Sequence, residues 1–132
     1  MYKIIIILLI NTIAEKLHSQ SSVSDKFNGR LKIMIDSMTI EDHTNRFRAD
    51  HYNYVMLSKI IKEFGYPDYG LVGKESSNNF WQLVQHQDMH VSFQDSVLIL
   101  LKVAVDNGEA SSRNYAYLVD RVKCNKEELH IY

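Results

Sequence analysis

The chain has 132 residues, with 15 Lys and Arg against 16 Asp and Glu, a formal net charge of −1, one Cys and one Pro. At roughly 100 to 200 residues per domain this is a single domain with one core, and the near-neutral charge lacks the electrostatic footprint of a nucleic-acid binder. The lone Cys124 excludes an intramolecular disulfide and any multi-cysteine zinc or iron–sulfur site, while 45% hydrophobic residues place the body among globular chains.

Met1, Tyr2 and Lys3 precede an unbroken apolar run from Ile4 to Ile10, followed by a polar exit rich in Ser. A positive start, an apolar middle too short to span a bilayer and a small-residue exit predict a secretory signal peptide over residues 1–20, with cleavage between Ser19 and Ser22. Residues 21–132 are then a single helical domain, exported to the periplasm or the medium, with no stable membrane span once the leader is gone. Glu15 and Lys16 intrude on the cleavage region, and a buried β-strand is the competing reading of the Ile-rich run.

Beyond residue 21 the periodicity is helical. Leu31, Met34, Ile35 and Met38 recur at spacings of three and four and predict a first helix to about Arg46. A second starts near Asp50 as N-cap, carries Tyr54, Leu57, Ile61 and Phe64 on one stripe, and stops at Gly65 and Pro67. Residues 66–79, with Pro67, Gly70, Gly73 and several Ser and Asn, read as a loop. A third helix is predicted over 77–85 with Phe80, Trp81 and Val84 inward. A fourth is capped by Ser92, buries Phe93, Val97, Leu100, Leu101 and Ala104, and ends at Asn107 and Gly108. A fifth begins after Ser111 or Ser112 and includes Tyr115, Leu118 and Val122, and Leu129 to Tyr132 suit a short extended tail. The fold class is all-α, a compact bundle-like domain of about five helices with a possible short extended C-terminal segment.

Chemistry-bearing residues gather at the helix ends. Between Trp81 and Gln94 the chain reads W-Q-L-V-Q-H-Q-D-M-H-V-S-F-Q. His86 suits a general acid or base because imidazole titrates near neutrality, with Asp88 as its orienting carboxylate. His86 and His90 have metal-ligand spacing, but without H-E-x-x-H and with a helix break between them no metal site is assigned. The competing reading is interhelical structure, with Gln85 and His86 satisfying backbone groups. In N-Y-A-Y-L-V-D-R, residues 114–121, Asp120 and Arg121 point to different sides of a helix. Arg121 suits a carboxylate or phosphate, either Asp42 or Asp88 inside the protein or an anionic ligand outside it. Glu41, Asp42, His43 and Arg46 close the first predicted helix as a solvated end. Cys124 reads as a small apolar filler. Tyr52, Tyr54, Tyr66 and Tyr69 form either an aromatic rim or the edge of the core. No G-x-S-x-G, G-x-x-x-x-G-K or G-x-G-x-x-G occurs.

The ordered set G-Y-P at 65–67, L-V-G at 71–73, W-x-x-x-Q-H-x-D at 81–88, F-Q at 93–94 and A-Y-L-x-D-R at 116–121 resembles an uncharacterised bacterial domain-of-unknown-function family over residues 31–132. Relative to that pattern, Tyr66 stands for a Trp, His43 for a Gln after Asp42, and the chain stops short of a closing Y-G-T-Q. The resemblance implies that Asp42, Arg46, Gln85, His86, Asp88, Asp120 and Arg121 are shared polar positions, and its motifs also hold Trp81, Gln94 and Tyr117. The expected function is a small exported enzyme, hydrolase- or lyase-like. His86, Asp88, Asp120 and Arg121 would be its catalytic set, and Asp42, Arg46, Gln85, Trp81, Gln94 and Tyr117 its binding set. The alternative is a non-catalytic helical module that binds a protein or an envelope component. The sequence names no cofactor, and the partner is an unspecified small molecule or protein, not nucleic acid.

Overall fold

A computed structural model of the chain describes residues 5–8, 11 and 26–129. The main elements are α1 (Gly29–Phe64), α2 (Tyr69–Val72), α3 (Lys74–Gln85), α4 (Val91–Asp106) and α5 (Ser112–Leu129), with no strand among the described residues. The chain is all-α. The proposed leader lies largely outside the described residues; Ile5 to Leu8 are helical and exposed, unlike a buried strand, and no described helix is long and apolar enough to cross a membrane.

Helix α1 starts where Asn28 accepts a hydrogen bond from the Leu31 amide at 3.0 Å. The two helices expected here are joined into one 36-residue element, kinked at Asn45, whose φ of −150° and ψ of 60° are not helical. The helix resumes at once, so Asp50 sits inside it and is not a cap. No Gly or Pro lies between Asn45 and Asp50, so nothing forbids immediate resumption. Gly65 ends α1 as expected, with a φ of 73° and its amide donating to the Ile61 carbonyl.

The segment 66–79 is more ordered than its composition predicts. Asp68 caps α2 through the Leu71 amide at 2.9 Å, and Gly73, at φ 84°, joins α2 directly to α3, which begins at Lys74 and not near Ser77. Three of the Ser and Asn residues that suggested a loop find partners on other helices: Ser76 Oγ and Asn79 Nδ2 donate to Asp36 at 2.7 and 3.0 Å, and Asn78 Oδ1 accepts from Asn114 Nδ2 at 2.9 Å. Tertiary partners override local propensity here.

Helix α4 starts at Val91 with His90 in the cap position and no side-chain cap bond; Ser92 lies within the helix, two residues too late to cap it. It ends at Asn107 and Gly108 as expected. Ser111 caps α5 by accepting from the Asn114 amide at 3.2 Å. Leu129 is helical, so the proposed extended tail does not include it, and 130–132 lie outside the described residues.

Helix α1 packs on α3 and α4 packs on α5, with α3 also touching α4 and α5. The core between them is Leu31, Ile35, Leu57, Ile60, Phe80, Leu83, Val84, Val97, Leu101, Leu118 and Val122, all buried. Each such side chain contributes about 1.5–3 kcal/mol by leaving water. Phe93, Leu100, Trp81 and Tyr115 are only partly buried against it. Tyr66 is buried edge-on to Phe80, whereas Tyr54 stacks on His90 and Tyr52 is exposed, so the four tyrosines make no common rim.

Candidate functional site

Helix α3 ends at His86, in α-helical geometry, and residues 87–90 make a turn before α4. That turn separates His86 from Asp88. His86 Nδ1 lies 2.6 Å from Asp42 Oδ2, so the carboxylate that orients the imidazole comes from α1, in place of the expected Asp88 or Asp120. Asp42 is 2% exposed, which overturns its reading as a solvated helix end. Its second oxygen is met only distantly, by Asn53 Nδ2 at 3.4 Å. A carboxylate can only accept, so the proton is on His86 Nδ1 and a neutral ring presents a lone pair at Nε2.

Arg46, one turn beyond Asp42, brings Nη2 to 2.8 Å from His86 Nε2 and 3.4 Å from Nδ1. A donor on the in-plane axis of Nε2 would be much farther from Nδ1, so the guanidinium lies across the ring face.

Asp88 belongs to a second network. Arg121 grips it in a fork, Nε to Oδ1 at 2.7 Å and Nη2 to Oδ2 at 2.6 Å, while Asn125 Nδ2 donates to Oδ1 at 3.0 Å. The Arg121 hydrogen bonds hold the Asp88 carboxyl below the ordinary carboxylate range, outweighing partial burial, which pushes it up; Asp88 in turn raises Arg121. Asn125 also donates to Gln94 Oε1 at 3.1 Å, and buried Gln94 donates to the Val84 carbonyl at 3.0 Å at the end of α3. This network ties α5 to the α3–α4 turn.

The two networks meet at one cleft of about 780 Å³ between α3 and α5. Helix α3 lines it with Trp81, Gln82, Gln85 and His86, and α5 with Tyr117, Asp120, Arg121, Cys124, Asn125 and Glu128. A smaller cleft of about 310 Å³ is lined in part by Arg46, Asp50, Gln87 and His90. His86, Asp88 and Arg121 border both. Trp81 donates from Nε1 to the Asn114 carbonyl at 2.8 Å, which fixes its indole beside Tyr117, with ring centres 6.5 Å apart. Cys124 is exposed on the cleft and is not the buried filler expected.

Of the ten residues singled out by sequence, seven line the main cleft: Trp81, Gln85, His86, Asp88, Tyr117, Asp120 and Arg121. Asp42 and Arg46 hold His86 from behind, and Gln94 braces Asp88. Sequence reasoning missed Asn125, Gln82 and Glu128. Helical spacing carried the signal for two of them, since Asn125 is four residues beyond Arg121 and Glu128 seven beyond it, on the same face. Among the described residues no group of three or more His, Cys, Asp or Glu side chains is placed to hold a metal ion.

The chain matches no curated protein and no solved structure. Its sequence from residue 26 to residue 132 fits a family of unknown function, DUF6624, and because that match takes in both networks and the whole α3–α5 cleft, the chain belongs to this family.

Proposed function

We propose that this protein is a small exported enzyme, hydrolase- or lyase-like, in which His86 moves a proton at the α3–α5 cleft. One observation carries the reading: a buried carboxylate, Asp42, sits 2.6 Å from Nδ1 of a histidine that borders the cleft. A buried Asp fixes the tautomer and orientation of the ring and stabilises the imidazolium that forms when Nε2 takes a proton. Arg121 spends Nε and Nη2 on Asp88, leaving Nη1 to donate to an oxygen of the substrate. Export rests on the apolar leader sequence alone.

The test is turnover of a panel of nitrophenyl esters, glycosides and phosphates by the full chain beside His86→Gln and Asp42→Asn. The His86 variant should lose roughly 10²–10⁴-fold, the range of a general acid or base. Long-range nitrogen-15 spectra should show neutral His86 protonated on Nδ1. Undiminished turnover in His86→Gln, or a proton on Nε2 instead, overturns the reading.

The exposed face of α1 favours a second reading, a non-catalytic binding module. Ile33 and Ile40, at seven-residue spacing before the kink, are 67% and 68% exposed, and Phe47, just beyond it, is 96% exposed. A partner helix could cover such a stripe. Turnover that depends on His86 would make this face secondary.

A further inference from the structure

The α3–α5 cleft contains polar groups that the protein itself does not satisfy. Gln85 is 8% exposed, yet its side-chain amide has no hydrogen-bond partner, and Nε2 is fully covered. Because Nε2 is covered, the group that Gln85 offers to a ligand is its Oε1, which accepts no hydrogen bond from any described residue either. The Asp120 side chain lines the same cleft, on α5, and makes no hydrogen bond or ion pair with any described residue; Glu128 lies about two turns further along the same helix. Trp81, held by the Asn114 carbonyl, and Tyr117, 57% exposed and tilted 43° to it, supply an angled aromatic wall.

These groups select the chemistry of the occupant. A cation would suit the aromatic wall and the two carboxylates but would face the Arg121 guanidinium, which lines the same cleft. An anion would suit Arg121 but would face Asp120 and Glu128 and has no hydrogen for Gln85 Oε1. A neutral ligand with several hydroxyl groups and an apolar ring face meets all of them. One hydroxyl donates to Asp120 while another donates to Gln85 Oε1, and ring C–H groups lie on Trp81 and Tyr117. We infer that the α3–α5 cleft is a carbohydrate site, taking a pyranose ring against Trp81 and Tyr117 with its hydroxyls on Gln85 and Asp120. The cleft volume, about 780 Å³, exceeds that of one sugar ring, so an oligosaccharide is the better fit. As the substrate class for the His86 chemistry, this rests on the proposed enzymatic reading; as a binding site, it stands without it.

Trp81 is the only tryptophan of the chain, so its fluorescence reports on this cleft directly. The full chain is titrated with maltotriose, cellotriose and triacetylchitotriose, and with tetramethylammonium and inorganic phosphate as contrasting probes. At least one trisaccharide should give a saturable change, and Tyr117→Ala and Asp120→Asn should each weaken it about tenfold, the size of one lost ring or charged contact. Sugar binding without any His86-dependent turnover sustains this site and removes the enzyme reading. Saturation by tetramethylammonium or phosphate alone, no response to any trisaccharide, or sugar binding indifferent to Tyr117 and Asp120 overturns the carbohydrate site, whatever the turnover of the nitrophenyl panel.

Discussion

Removing the His86 ring should destabilise the domain by abandoning a buried charge. In His86→Ala, Asp42, 2% exposed, keeps only the 3.4 Å contact from Asn53. Breaking one partner out of a buried pair costs about 3–5 kcal/mol, and water entering from the cleft beside His86, whose side chain is 14% exposed, brings the cost to the lower end, about 2–3 kcal/mol. For a body of this size that is roughly a 10–20 °C fall in Tm. An exposed cleft histidine would have cost little; this one serves the fold and the site together, so stability of the single variant does not separate those roles. A double-mutant cycle isolates the charge. In an Asp42→Asn background the group left behind is a neutral amide, and His86→Ala should then cost no more than about 1 kcal/mol. Urea unfolding followed by far-ultraviolet circular dichroism gives the four free energies, with an unchanged m value as the check on two-state behaviour. Equal costs of His86→Ala in both backgrounds, within about 0.5 kcal/mol, would refute the argument.

Two further predictions concern the scaffold. Because Arg121 lowers the folded-state pKa of Asp88, the stabilisation from their pair is complete above the unfolded value, near ~4, and is lost as pH falls through the lower folded value. Asp88→Asn should therefore destabilise the domain slightly at pH 7, by about 1 kcal/mol or less for a pair this exposed, and flatten the fall of Tm between about pH 4 and 2; an acid limb identical to the parent's would count against it. Gly73 combines φ 84° with ψ 162°, a region open to glycine almost alone, and a Cβ there meets nothing within 4 Å. Gly73→Ala should cost about 1–3 kcal/mol from backbone strain alone, and an unshifted urea midpoint would show that the α2–α3 junction relaxes freely.

The helices were legible where the apolar period was strong and their ends had a chemical cause. Gly65, Asn107 and Gly108 stop helices for reasons visible in three residues. The α2–α3 segment was misread because Ser76, Asn78 and Asn79 find their partners on Asp36 and Asn114, about forty residues away. The site divided the same way. The motifs picked out His86, Asp88 and Arg121 and offered Asp88 as one of two internal partners for Arg121, but the partner of His86 could not be read there. Asp88 is two residues from His86 in sequence, yet the turn after α3 sends it to Arg121, and His86 finds Asp42 across 44 residues.

The kink in α1 falls inside the site. Asp42 and Arg46 are opposite charges one turn apart, a spacing at which they would ordinarily pair with each other on a regular helix. No ion pair forms between them; instead one meets His86 at Nδ1 and the other at Nε2. Asn45, the non-helical residue, lies between them. Helical regularity is thus given up where the imidazole is clasped. The unsatisfied polar groups concentrate in the same place. Of the five buried side-chain atoms without a partner among the described residues, four belong to Asp50, Asn53, Gln85 and Gln87, which line the two clefts or touch Asp42. A core selected for stability alone would have paired or replaced these groups. Their clustering around a kinked helix and a clasped histidine marks the part of this fold that a ligand, and not packing, would complete.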